Sequence, residues 1–256
     1  MFFQKFFTIK SIRKVPEIIL FFWVIKLLTT AMGESTSDFM VHHFDPIIAV
    51  IIGFIGFAIS IVLQFCVKKY IAWIYWLAVT MIAIFGTMAA DVVHIVLGVP
   101  YLISTICFAI ALTIIIYVWY KIEGTISIHS ISTPRREIFY WVTVITTFAL
   151  GTATGDMTAI TLNLGYITSG ILFAILFTLP LVAYKLFNAN EVFTFWAAYI
   201  VTRPFGASFA DWFGRTKDLG GIGFGTGRTS VVLTILIILF VSYLAFTRKD
   251  IKIEKK

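Results

Sequence analysis

Four times along this 256-residue chain a Trp is followed ten residues later by a Gly, and five residues after that by an Asp. The copies are Trp23, Gly33 and Asp38; Trp76, Gly86 and Asp91; Trp141, Gly151 and Asp156; and Trp196, Gly206 and Asp211. The residue before each Trp is aromatic as well: Phe22, Tyr75, Tyr140 and Phe195. Self-similarity in one fixed register means that a single supersecondary unit has been used four times, and each unit must bury itself against its neighbours.

The solvent for these units is lipid. The chain is 60% hydrophobic and 13% charged, whereas a globular domain is about half apolar and about a quarter charged. Eight apolar stretches, near 17–39, 45–66, 71–97, 99–120, 137–162, 166–187, 191–213 and 229–247, are long enough to cross a hydrocarbon core of about 30 Å. Breaks fall at Asp45-Pro46, at Gly98-Val99-Pro100 and in the run from Gly220 to Gly227. Each unit holds two spans, so all four must point the same way across the membrane, as a parallel repeat. The predicted fold is an all-α transmembrane bundle of eight helices, one membrane domain over 1–256, with repeats near 17–66, 71–120, 137–187 and 191–247. The second and third units also share the start of their returning helix, Leu97-Gly98 with Tyr101 and Ser104 against Leu164-Gly165 with Tyr166 and Ser169.

The formal charge of +7 does not indicate nucleic acid, because the cations flank apolar runs. Fifteen of the 20 Lys and Arg lie in the tails and alternate loops on one side, and three (Arg215, Lys217, Arg228) on the other. That asymmetry predicts both termini in the cytoplasm. Lys5, Lys10, Arg13 and Lys14 before the first apolar run imitate a signal peptide. That run contains a repeat copy together with Lys26, Thr29 and Thr30, so it is expected to remain as the first helix. Cys66 and Cys107 are expected as free thiols buried among helices, with no disulfide framework.

Through the Trp, Gly and Asp positions the chain resembles a bacterial membrane-protein family known as a four-copy repeat of unknown function. The likeness covers almost the whole chain. It implies the fold, with two transmembrane regions and a Trp per repeat, and a bacterial inner membrane location; it implies no activity.

A helical wheel sharpens the roles. With each Trp at 0°, the Gly falls near about 280° and the Asp near about 60°. Glu34, Thr87, Thr152 and Ala207, eleven residues after each Trp, share that arc, as do Thr30, Arg203, Lys26, Ser37 and His94. The arc should face the bundle interior, since polar groups facing lipid have no partners. The Trp residues are expected as interfacial anchors at the cytoplasmic helix ends, with gating or ligand contact as the alternative. The Gly residues suit close backbone approach, or alternatively a helix break that exposes carbonyls. Glu17, Glu137 and Glu191, just ahead of the Trp residues, complement helix N-termini.

Carboxylates within spans are costly and mark function by default. Asp38, Asp91, Asp156, Asp211 and Glu34, with His94, are therefore the candidate cation or proton pathway, and Arg203 and Lys26 the internal counter-ions, Arg203 lying two turns before Asp211. The bland alternative is that the Asp residues are paired or hydrogen-bonded and only glue the repeats together. Glu34 and Asp38 share a helix face and could reach one ion. Together with His42, His43, Asp45 and His94 they would suit a metal such as Mn²⁺ or Zn²⁺. No His-Glu-x-x-His, Gly-x-Ser-x-Gly or Walker pattern occurs, so neither an enzyme nor a bound cofactor is expected. Nor is the glycine-rich run from Gly220 to Gly227 preceded by a strand, as a nucleotide loop would be. The leading expectation is a transporter or channel for a small cation or protons; the alternative is a membrane scaffold or regulatory protein. The expected partners are the lipid bilayer and that small cation, and not nucleic acid.

Overall fold

The computed structural model describes residues 13–251. Lys5, Lys10, Lys252, Lys255 and Lys256, part of the charge asymmetry, lie outside them. Eight long helices follow one another: α1 (Leu20–His43), α2 (Pro46–Cys66), α3 (Ala72–Asp91), α4 (Tyr101–Glu123), α5 (Pro134–Asp156), α6 (Gly165–Phe187), α7 (Glu191–Gly214) and α8 (Thr226–Thr247). No strand occurs among the described residues.

Their ends obey local chemistry. The Asp45 carboxylate accepts from the amides of Ile47 (2.9 Å) and Ile48 (3.2 Å), with Pro46 at the first helical position, where no amide is needed. Asn190 caps α7 in the same way through Val192 and Phe193. Thr133 precedes Pro134 at the start of α5 and accepts from the Arg136 amide. Gly124, with φ of 68°, ends α4 in the left-handed conformation that glycine adopts without strain.

The odd helices form a closed inner ring: α1 packs on α3, α3 on α5, α5 on α7, and α7 back on α1. The even helices lie outside it. Each packs mainly on the odd helix that follows it, α2 on α3, α4 on α5 and α6 on α7, while α8 closes onto α1. The two helices of one repeat are therefore not each other's main partner, and every unit is completed by the next. The outer helices present Ile47, Ile51, Ile55, Ile59 and Val62 on α2 and Val231, Ile235 and Leu239 on α8, all at least half exposed, as lipid-facing surfaces should be.

Six helices are both long and apolar enough to cross a membrane; α1 and α7 are not among them. At 24 residues each they are long enough, but Lys26, Glu34 and Asp38 on α1 and Glu191, Arg203 and Asp211 on α7 lower their apolarity. Ring position explains this, because their polar faces meet other helices and not lipid. The chain is an all-helical, multi-span membrane protein built from four repeats.

Two cyclic contacts hold the ring. Every motif Gly touches the residue three positions before the Gly of the next copy. Gly33 lies on Ala83, where an added Cβ would come 2.7 Å from the carbonyl carbon; Gly86 meets Phe148, Gly151 meets Arg203, and Gly206 meets Thr30. The α-helix is unbroken at all four Gly residues, so close packing, and not a carbonyl-exposing break, is their role. Every Trp packs on the aromatic residue preceding the Trp of the previous copy: Trp76 on Phe22 (5.7 Å between ring centroids), Trp141 on Tyr75 (5.6 Å), Trp196 on Tyr140 (6.3 Å) and Trp23 on Phe195 (5.7 Å). Because equivalent positions meet at both levels, the four odd helices run parallel, with a Trp end and an Asp end.

Two expectations are corrected here. Trp76, Trp141 and Trp196 are buried in the ring and are not anchors on its lipid surface; only Trp23 is half-buried. Aromatic pairing, worth about 0.5–1.5 kcal/mol per pair beyond burial, makes the interior the better place for them. Cys66 and Cys107 are free but exposed, because they lie on the outward faces of α2 and α4.

Candidate functional site

Polar groups are stacked along the ring axis from the Trp end to the Asp end. At the Trp end the hydroxyls of Tyr75 and Tyr140 meet at 2.5 Å, both fully buried. Outside them, the Lys14 ammonium pairs with Glu137 at 2.5 Å, and Gln64 Nε2 donates to the other Glu137 oxygen at 3.0 Å. Glu137 thus does more than complement the start of α5: it ties the N-terminal segment and α2 to that helix.

Lys26 comes next. Its Nζ lies 4.2 Å from the Phe148 ring centre and 4.1 Å from that of Tyr199, and has no hydrogen-bond partner among the described residues. The expected counter-ion role fails for Lys26. It points at ring faces of α5 and α7, whose quadrupoles attract a cation, and it touches no carboxylate.

The layer above joins all four repeats. Arg203, fully buried on α7, pairs with Glu34 Oε2 of α1 at 2.6 Å. The same Nη2 donates to the hydroxyl of Thr152 on α5 at 2.9 Å and to that of Thr87 on α3, while Nη1 reaches the Thr30 carbonyl at 3.5 Å. Glu34, Thr87 and Thr152 are three of the four residues eleven places after a Trp, and the fourth is Ala207 on α7 itself. One guanidinium therefore closes the ring. Arg203 is an internal counter-ion as expected, but for Glu34 and not for Asp211. Pro204 stays within α7 and packs against Gly151 and Gly155.

At the Asp end, Glu34, Asp38 and Asp211 converge. One oxygen from each lies within 4.8 Å of the other two. Asp91 and Asp156 are half-buried and lie within electrostatic reach of Glu34. The carboxylates of the first and fourth repeats thus meet at one locus, and those of the second and third stand at the same end of the ring. Opposite them stands Arg215, which follows the last turn of α7. Its Nε donates to Asp211 Oδ1 at 3.1 Å, and its Nη2 lies 2.9 Å from Asp38 Oδ2, a charge contact without hydrogen-bond alignment. Sequence reasoning counted Arg215 only as a loop cation. Its place four residues after Asp211, a helical ion-pair spacing, was the available signal.

Metal chemistry narrows accordingly. An ion centred among three oxygens that lie within 4.8 Å of one another would sit at most about 2.8 Å from each, close to the roughly 2.3–2.6 Å of Ca²⁺–oxygen bonds. Three oxygens so placed offer a hard-oxygen site. The imidazoles expected in it are engaged by backbone carbonyls instead. His94 contacts the Val99 carbonyl at 3.2 Å and lies against the Tyr101 ring, 4.3 Å between centres. The His42 ring nitrogen meets the Asp38 backbone carbonyl at 2.6 Å, His43 folds back onto Phe39, and Asp45 caps α2. An all-carboxylate set suits Mg²⁺, Ca²⁺ or Mn²⁺ better than a site sought with histidine for Zn²⁺.

The copies differ after the Asp. In α3 and α5 the α-helix ends at Asp91 and Asp156 and continues as one π-helical turn, Val92–Val96 and Met157–Thr161, whereas α1 and α7 run on as α-helix. Such turns are rare, and they concentrate at functional positions.

No curated protein and no solved structure matches this chain. A family described as a repeat of unknown function (DUF347) matches four times, over residues 21–70, 74–125, 139–190 and 194–250. Each match begins two residues before a motif Trp and contains its Gly and Asp. Since the four matches take in most of the chain, the protein belongs to this family of tandem membrane repeats.

Proposed function

We propose that the protein is a carrier for a small, hard cation, exchanging it for protons at the Asp end of the ring. The observation that carries this reading is the convergence of Glu34, Asp38 and Asp211, with Asp91 and Asp156 in electrostatic range. Five carboxylates face two guanidinium groups, so a bound cation or proton relieves their repulsion. Arg203 and Lys26 favour a carrier over an open channel, since two buried cations on the axis bar a cation from passing straight through. The Arg215 guanidinium, arriving from a loop, fills the place a substrate cation would take. Positive charge at the Trp end orients that end to the cytoplasm of a bacterial inner membrane, with the carboxylates toward the outside. With no catalytic constellation in the sequence, the protein acts without covalent chemistry.

A second reading has its own observation. Arg203, on the fourth repeat, bonds to groups of the other three, as a purely structural lock in a scaffold protein would.

Asp91→Asn and Asp156→Asn, each in proteoliposomes, separate the two. The carrier reading expects folded protein and loss of proton-coupled Mg²⁺, Ca²⁺ or Mn²⁺ flux that the wild type shows. Wild-type liposomes without flux for any of these ions, or variants with unchanged flux, would overturn it.

A further inference from the structure

A cavity lies far from the Asp-end carboxylates, at the Trp end, between the start of α3 and the end of α8. It holds about 410 Å³ and is lined by Lys69, Tyr70, Trp73, Leu244, Arg248 and Asp250, among others. We propose that this cavity binds the headgroup and upper acyl chain of an anionic phospholipid, the phosphate seated between Lys69 and Arg248.

Four features of the site fit that ligand. First, the start of α3 has no side-chain cap, so its first amides, at Ala72 and Trp73, have no acceptor within their own helix and present a partial positive charge. Second, the exposed cations Lys69 and Arg248 both line it, one from the segment before α3 and one from the end of α8, and basic pockets between helices hold anionic headgroups. Third, apart from Tyr70 and Asp250 the rest of the lining is apolar, and Trp73 in it is 46% exposed, as suits an aromatic ring at a membrane interface. A soluble phosphate would use only the cations, whereas a lipid uses the apolar wall too. Fourth, the walls are preformed. The Tyr70 hydroxyl donates to Asp250 at 2.5 Å, the Asp250 carbonyl accepts from the Glu17 amide at 2.9 Å, and Arg248 turns the chain back with φ of 53°. Asp250 is the one acid in the lining, and its bond to Tyr70 engages one of its two oxygens.

The site stands apart from transport, so its test needs no flux. Full-length protein in detergent would be titrated with phosphatidylglycerol, with phosphatidylcholine and with glycerol 1-phosphate, following the unfolding temperature and, by native mass spectrometry, the number of lipids retained. Phosphatidylglycerol is expected to raise the unfolding temperature by several degrees more than phosphatidylcholine and to leave one lipid bound. Lys69→Gln with Arg248→Gln should abolish that difference and the retained lipid, while Lys68→Gln with Lys185→Gln, which removes as much charge outside the cavity, should leave both. An equal response in the two double variants would overturn the proposal, as would no preference over phosphatidylcholine. Glycerol 1-phosphate acting as strongly as the lipid would overturn the assignment to a membrane ligand.

Discussion

The Arg203 guanidinium meets the Glu34 carboxylate at 2.6 Å across the α7–α1 seam, with at most 4% of either side chain exposed. This ion pair closes the cycle of repeats, because α7 must find α1 for the ring to exist. Removing one member of a buried pair strands the other, at a cost of about 3–5 kcal/mol. Arg203→Met is expected to destabilise by that order, and Arg203→Met with Glu34→Leu by less than the sum of the single changes. Unfolding followed by circular dichroism in mixed micelles reads this directly. Additive losses would mean that the pair is not the coupling element.

Glycine at the ring seams makes an independent test of the packing. An added Cβ at Gly206 would lie 2.8 Å from Thr30 Cβ and 2.9 Å from the Ala31 amide nitrogen, and the backbone there cannot yield as a side chain can. Gly155, one turn past Gly151, would meet nothing closer than 3.8 Å. Gly206→Ala should therefore cost about 1–3 kcal/mol through overpacking, while Gly155→Ala should be neutral or slightly stabilising, as Ala is the better helix former. Comparable loss at both sites, measured as the shift in unfolding temperature, would refute the cyclic seam.

Much of this was legible in the sequence. The spacing of Trp, Gly and Asp announced four parallel units, and the 100° periodicity placed Glu34, Thr87 and Thr152 on one inner arc with Arg203. What stayed hidden was partner choice. A wheel gives the face on which Lys26 lies, but not that Phe148 and Tyr199 of other repeats stand opposite it. The same wheel cannot show that the Trp residues turn inward, since an amphipathic ring suits a membrane interface and an aromatic core equally well. Nor does chain order reveal that each even helix packs on the next repeat's odd helix, because a short loop suggests a hairpin. Arg215 was missed because a cation beside a glycine-rich loop looks like solvent-facing charge.

At the Trp end, burial raises the pKa of the Asp250 carboxyl above its ordinary range. A carboxyl in the unfolded chain ionises near about 3.9, so the folded protein holds this proton longer. The contribution of a raised acid is fully present below the unfolded value and is lost as pH rises through the folded one. Asp250→Asn keeps an acceptor for the Tyr70 hydroxyl and removes that loss. The variant should therefore gain in unfolding temperature relative to wild type at about pH 8 compared with about pH 4. The same difference at both pH values would show that Asp250 carries no such linkage.

Arg215 gives the sharpest test of the carrier reading. Its side chain is 25% exposed, sits on a loop, and spans Asp38 at 2.9 Å and Asp211 at 3.1 Å, so it competes with any cation for those carboxylates. A charge bound at that distance and partly desolvated is worth several kcal/mol before solvent screening, of which exposure leaves a fraction. Arg215→Gln is expected to lower the half-saturating concentration for Ca²⁺ or Mn²⁺ uptake at least about tenfold, corresponding to about 1.4 kcal/mol. Uptake into proteoliposomes over a range of cation concentrations measures this, with the unfolding temperature as a check on the fold. If a folded Arg215→Gln protein instead bound cations more weakly, Arg215 would belong to the site as a ligand-positioning group. In that case the substrate would have to be recognised together with the guanidinium and not in its place.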